Sequence, residues 1–394
     1  KLILLMGNND QTAKHALSVL CKMTEKREEK DQLQKHCNEL TVLMEKIDKF
    51  DLEEVATMND LLHALCNNLD SSAEALRDDL FILLQKQLSN TDAVIKCKGV
   101  IGAVMAIKHL ARHQESCDLA REILTKVEVG VKDCPRAQAL FFDKMGQVID
   151  SDEGIDRKFV RSVTTSYEDE LATKYMTDND SYRGDLAPNF ALNQSDSSPE
   201  MFIDFGETKY GAVVPILFRM IRICHQHLNE NRDLEDVSAV LGCGLMMPRD
   251  MDLPEPRTLD LIFHCINWYR ELINAYITQS DEIMKTQVVQ RLDNLMNLQG
   301  ELSTLLSLAE VRYQPPPCYF HKYPPPPFNR VEKKAGKKSG KKKDNDRSNS
   351  TSVPEWEAWE HGSALTIKNP MYFRRLDATI VHFLDNDVGK DLTP

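Results

Sequence analysis

Nowhere in the 394 residues does an apolar run reach the roughly 18–20 residues that a membrane-spanning helix requires, and no secretory leader is visible. The ten cysteines include no Cys-x-x-Cys pair. Most fall in apolar helical patterns, the usage of a reducing compartment in which cysteine behaves as a small hydrophobe. There is no His-Glu-x-x-His, no nucleophile elbow and no Walker lysine, so the chain lacks the usual signatures of catalysis and an enzyme is not expected. Alternating strand patterns are almost missing as well. What these gaps leave is a soluble, intracellular, helical chain for which neither a cofactor nor a metal is expected. Positive charge is in deficit, with 49 lysines and arginines against 61 acidic residues and a net charge of −12. That average argues against a dedicated nucleic-acid module but not against local basic surfaces. The ends at Lys1 and Pro394 show no natural boundary, as expected of a piece of something larger.

What the chain does hold is a succession of helices. In DLEEVATMNDLLHALCNNL, Asp51 and Glu54 stand at capping-box spacing, and Leu52, Val55, Leu62, Leu65 and Leu69 recur at helical intervals. SSAEALRDDLFILLQKQL repeats the device with Ser71 and Glu74, above a stripe of Leu76, Leu80, Leu83, Leu84 and Leu88. Further helices are expected over 92–113, 117–128, 136–150 and 155–173. Residues 174–212, rich in Asp, Asn, Ser, Pro and Gly, read as an irregular excursion. Helices return over 213–230, 233–241, 257–279 and 281–308. The prolines of YQPPPCYFHKYPPPPFN then end regularity. The following VEKKAGKKSGKKKDNDRSNSTS has too little apolar surface to fold. A last short helix is expected around PMYFRRLDATIVHFL.

The fold class that follows is all-α, an irregular α-solenoid of HEAT-like helical repeats with a disordered Lys-rich linker. Its parts are a helical segment over 1–173, the excursion over 174–212 and a second helical segment over 213–313. The Pro/Lys-rich linker over 314–355 and the start of a further helical segment over 356–394 complete it.

Several familiar strings are weak on inspection. Asp204-Phe205-Gly206 matches a kinase triplet, but the glycine-rich loop, the His-Arg-Asp loop and the strand lysine are missing. Gly242-x-Gly244 lacks a third glycine and a preceding strand, and reads as a turn. Cys224, His225 and His227 point in different directions on a helix, as a packed cysteine and two surface histidines. Seven lysines within 331–343 suit phosphate contact, nuclear import or simple solubility of a linker.

IKCKGVIGAVMAIKHL, residues 95–110, says more. Lysine is costly to bury, and glycine weakens a helix interior by about 1 kcal/mol relative to alanine. Lys96, Gly99, Ala103 and Ala106 fall three or four apart on one face, with Gly102 beside them. Val94, Ile101, Val104, Met105 and Leu110 lie on the other faces and are expected to pack inward. The smooth strip lets another helix come close, either a partner or modifying enzyme or a neighbour in the same chain. The Lys96 amine at its edge is then a candidate for covalent modification, and a neighbouring cation such as Lys98 favours its neutral, nucleophilic form.

LLQKQLSNTDAVIKCKGVIGAVMA resembles the stretch that holds the monoubiquitination site in the Fanconi anaemia group D2 family. KIDKFDLEEV, CPRAQALFFDKMGQVID, PILFRMIRICHQHLNENRDLEDVSAVLGCGL and INWYRELINAYITQSDEIMKTQVVQRLDNLMNLQGEL are similar in the same order, over roughly 40–313. FRRLDA beyond the lysines resembles the family's Phe-Arg-Glu-Leu-Asp segment. The resemblance implies a nuclear, non-catalytic α-solenoid scaffold for interstrand crosslink repair. It implies pairing with the paralogous Fanconi anaemia group I protein, one ubiquitin added by a pathway ligase and removed by a deubiquitinase, and closure of the modified pair around double-stranded DNA. The family pattern Lys-x-Lys-Leu-Ile-Gly-Ile-Ile-Gly places the modified lysine three positions before the first glycine. Counting back from Gly99 without a gap gives Lys96; matching the Lys-x-Lys pair gives Lys98 as second choice. A generic HEAT-type adaptor or transport receptor, with the lysine helix as internal packing, is the other reading.

Overall fold

The computed structural model describes residues 10–66, 71–178, 180, 184–192, 200–206, 208–249, 253–309, 313–318 and 372–385. The helices are α1 (Asp10–Met23), α2 (Arg27–Gln34), the single turns α3 (Cys37–Leu40) and α4 (Val42–Glu45), α5 (Leu52–Leu65), α6 (Ser71–Leu88), α7 (Ala93–Leu110), α8 (Cys117–Val131), α9 (Pro135–Ser151) and α10 (Arg157–Tyr175). After two strands and a third come α11 (Thr208–Gly211), α12 (Val214–Leu228), α13 (Ala239–Gly242), α14 (Pro256–Tyr276), α15 (Glu282–Leu308) and the turn α16 (Thr379–Phe383). The described residues are mostly helical with one small sheet, and neighbouring helices stack as in a helical-repeat array.

Local signals start the helices where the sequence places them. Asp51 accepts from the amides of Glu53 and Glu54, both at 2.9 Å, while Glu54 accepts from the Asp51 amide at 2.9 Å. The box is complete, and Lys14 of α1 braces it by an ion pair to Asp51 at 2.8 Å. Asp51→Ala should therefore lower stability by about 1–2 kcal/mol. A denaturant midpoint unchanged from the parent would refute that role for the cap. The matching device at Ser71 involves a side chain outside the described residues. α8 to α10, α12, α14 and α15 lie within a few residues of their expected spans.

α7 is the hub. α5, α6, α8 and α9 all pack on it, so it is buried on nearly every side. Ile101, Val104 and Met105 point inward as expected, but Val94 is 42% exposed, because the first turn of α7 projects past its neighbours. α9 and α10 in turn pack on α12, and α12 on α14, so the helices before and after the sheet share one continuous core.

The span expected to be irregular carries structure. β1 (Met176–Asp178), β2 (Leu186–Asn189) and β3 (Met201–Ile203) join β4 (Gly244–Pro248) in a four-stranded sheet of order β1-β3-β4-β2. β1–β3 and β2–β4 are antiparallel, and β3–β4 is parallel. Gly244, expected in a turn, opens the central strand. A Cβ there would lie 2.6 Å from the Asn189 carbonyl oxygen and 2.7 Å from the Phe202 ring. The fully buried Arg291 of α15 seals the sheet by donating to the carbonyls of Leu241, Cys243 and Phe190 at 2.6–2.8 Å.

The Lys-rich linker falls outside the described residues, apart from its first few positions. Past it, the helix expected around 370–384 is limited to Thr379–Phe383. Residues 372–377 instead cross α14 without regular structure. Asn267 and Asn274 of α14 bond their backbone at 2.7–2.9 Å, and Arg374 pairs with the buried Glu271 at 2.7 Å. A row of side chains on α14 thus satisfies the segment's main chain, which removes its need for a helix.

Candidate functional site

The site is built on the start of α7. Asn90 turns the chain by accepting from the Asp92 amide at 2.8 Å, and Asp92 caps α7 by accepting from the Val94 amide at 2.7 Å. One turn later, Lys96 and Lys98 leave the helix in nearly opposite directions, since two residues advance it by about 200°. Lys96 is half-buried, and its Nζ donates to the carbonyl oxygens of Leu88 at 2.8 Å and Gly130 at 2.6 Å. Lys98 is only 6% exposed, and its Nζ donates to the carbonyls of Ile47 and Asp48 at 2.9 and 3.0 Å. Burial lowers the Lys98 pKa, against the pull of Asp48, Asp51, Glu54 and Asp92. Because the two amines serve different sides of α7, Lys98 is not the close cationic neighbour that the sequence suggested for Lys96.

The small-residue strip is filled from within the chain. Gly99, Gly102, Ala103 and Ala106 are all buried. A Cβ on Gly99 would lie 2.8 Å from Gln87 Cβ and 2.9 Å from the Leu88 backbone nitrogen, and one on Gly102 would lie 3.2 Å from Asn59 Oδ1. The strip exists to let α6 and α5 approach α7. Its four residues therefore offer no open face to a partner, whereas the first turn of α7 reaches the surface. There the exposed side chains are Asp92 and Val94, with Val129, 74% exposed, beside Gly130.

Side chains along the rest of α7 are paired or buried. At its far end, Lys108 Nζ and His109 Nε2 both bond Asp60 Oδ1 at 2.8 Å. Burial alone would raise the Asp60 carboxyl, but these two partners hold it well below the usual carboxylate range. Burial pushes the adjacent Cys97 thiol up to about 12, so it stays protonated and inert. The carbonyls of Leu88 and Gly130 carry no sequence signal. The nearest legible sign was a glycine, Gly130, at the C-terminal end of a helix, where a close approach of another backbone is common.

The other strings take structural places. Asp204 Oδ1 accepts from the Gly206 amide at 2.7 Å and Phe205 is buried, a turn after β3. Cys224 is buried, whereas His225, expected at the surface, is buried too and pairs with Glu168 at 2.6 Å. Among the described residues, no three of His, Cys, Asp and Glu converge to hold a metal ion, and no helix is long and apolar enough to cross a membrane.

Comparison with known proteins places the chain. A family model described as Fanconi anaemia protein FancD2 nuclease matches residues 5–201 and 204–366. The chain is 27% identical over 403 residues to the Fanconi anemia group D2 protein of Gallus gallus, which covers 82% of this chain and 28% of that protein. It is 22% identical over 307 residues to the homolog of Drosophila melanogaster, covering 62% of this chain and 21% of that one. With the Rattus norvegicus homolog the identity is 24% over 294 residues, 61% of this chain and 20% of the relative. The chain thus spans between a fifth and under a third of the length of the curated relatives it matches.

Proposed function

The chain belongs to the Fanconi anaemia FancD2 family, and on that premise we propose that it is the central part of a nuclear DNA-repair scaffold whose switch is one ubiquitin on Lys96. The scaffold pairs with the Fanconi anaemia group I protein, and the modified pair clamps double-stranded DNA during repair of interstrand crosslinks. It performs no chemistry of its own.

The observation that carries the site is the contrast between the two lysines. Lys96 sits at the edge of the bundle, on a first turn with exposed neighbours, while Lys98 is buried against Ile47 and Asp48. The ungapped register from Gly99 points to the same residue. With Gly99, Gly102, Ala103 and Ala106 occupied by the chain's own helices, the ligase reaches Lys96 from the N-terminal end of α7.

The test is reconstituted ubiquitination of the full chain with its paralogue, DNA and the pathway's conjugating enzymes. Lys96→Arg should abolish the single conjugate, and Lys98→Arg should keep it. Undiminished modification of Lys96→Arg would sink the assignment, and transfer of the conjugate to Lys98 would show the register to be two residues out.

A further inference from the structure

Two helices end against one amine. α6 closes at Leu88 and α8 at Val131, and the last carbonyls of a helix have no intrahelical partner. The amides that follow are committed elsewhere: Ser89 to the Gln85 carbonyl, Asn90 to that of Gln87, and Cys134 to that of Val131. The Leu88 and Gly130 oxygens accept instead from Lys96 Nζ, at 2.8 and 2.6 Å. A single ammonium therefore satisfies two helix ends and sits at the negative pole of both helix dipoles.

The packing is shaped to permit this bridge. A Cβ on Gly99 would collide with Gln87 and Leu88, and one on Gly130 would lie 3.2 Å from Leu88 Cβ and 3.3 Å from its carbonyl oxygen. Glycine at both positions brings the end of α6, the start of α7 and the end of α8 within reach of one four-carbon side chain. Lys98 does the equivalent for the turn at Ile47 and Asp48, but deep inside and on the other side.

We propose that Lys96 is a latch holding the C-terminal ends of α6 and α8 together, and that acylation of its amine opens the latch. This rests on the reading of Lys96 as the ubiquitin acceptor. An ammonium offers three N–H groups and a full charge. To react, the amine must first lose a proton and leave both carbonyls. It then attacks the carbonyl carbon of a carrier-bound ubiquitin thioester. The C–N bond forms, the C–S bond breaks, and the departing thiolate takes a proton to become a thiol. Of the two protons the nitrogen has shed, one is on that thiol and the other is in solvent. The isopeptide nitrogen keeps one N–H and no charge. It can serve one carbonyl weakly and never both, so at least one helix end loses its cap. Conjugation then loosens the 89–92 and 132–134 connections from within, in addition to placing ubiquitin on the surface.

Hydrogen exchange followed by mass spectrometry on the full chain, with and without ubiquitin conjugated at Lys96, tests this. Amides in 86–92 and 130–136 should exchange at least tenfold faster in the conjugate and in unconjugated Lys96→Gln. Lys96→Arg should stay within about twofold of the parent, and amides of α14 should not change in any form. If the conjugate forms at Lys96 while both windows keep the unmodified rates, the latch is overturned and the acceptor reading stands. If ubiquitin goes elsewhere, the acceptor reading fails and Lys96→Gln alone decides the latch. If Lys96→Gln also speeds α14, the conjugate of the parent chain, folded before it is modified, decides.

Discussion

Glu271→Ala should destabilise the protein by about 3–5 kcal/mol, the usual cost of removing one partner of a buried ion pair. Glu271 and Arg374 are each 2% exposed at the side chain, bonded at 2.7 Å, and Arg222 approaches the same carboxylate at 3.4 Å. Alanine leaves the Arg222 and Arg374 guanidinium groups without their shared carboxylate. Arg374→Ala should cost less, because Arg222 still faces the carboxylate, but it should free residues 372–377 from α14. Chemical denaturation measures both, and exchange rates along α14 report whether the segment has left. A Glu271→Ala loss below about 1 kcal/mol would show that water or rearrangement already screens the pair. The pH dependence follows the same chemistry. Burial alone would raise the Glu271 carboxyl, but Arg374, Arg222 and Arg219 hold it down at about 2. A depressed acid stabilises the fold fully above its ordinary value near 4.5, and that contribution drains away as pH falls from there towards 2. Glu271→Gln should flatten this part of the acid unfolding curve.

Gly99→Val should cost about 3 kcal/mol, and Gly99→Ala about 1–2 kcal/mol, despite the better helix propensity of both residues. The added Cβ meets the Leu88 backbone nitrogen at 2.9 Å, and backbone cannot swing aside as a side-chain tip can. α6 must move outward, which also draws the Leu88 carbonyl away from Lys96. Gly300 in α15 is the control, since a Cβ there meets nothing within 4 Å. Gly300→Ala should be neutral or stabilising by up to about 1 kcal/mol. Denaturant midpoints at unchanged slope measure all three. A neutral Gly99→Val would mean that α6 and α7 are not in close contact at this point.

The helices were legible because each signal is local. The Asp51 box and the leucine stripe of α6 each repeat over one or two helical turns. The sheet was not, because its strands have only three to five residues and β4 comes from far along the chain. GLMMP has no alternation to detect, since four of its five residues are buried. Arg291 reads as an ordinary polar position, and nothing around it announces three carbonyls waiting at a sheet edge. At the site, the glycines of α7 marked a close approach correctly but could not say whose backbone approaches. Periodicity identifies a small face; only the placement of α5 and α6 shows that the face is taken. The same holds for the lysines, whose sequence spacing gives opposite directions without saying which is the inside.

The strand order has a consequence for how the protein is made. β4 lies at the centre of the sheet yet is the last of its strands to leave the ribosome. β1 and β3 can pair as they emerge, but among the described residues β2 pairs with no strand except β4. At about 5–20 residues per second, β2 waits several seconds as an unpaired edge. α15, whose Arg291 fastens the carbonyls around the join, emerges later still. α1 to α10 pack on one another and on α12, all of which precede Gly244, and can be in place by then. A nascent chain stalled before Gly244 would therefore present a helical array with one sticky strand, the species a chaperone has reason to bind.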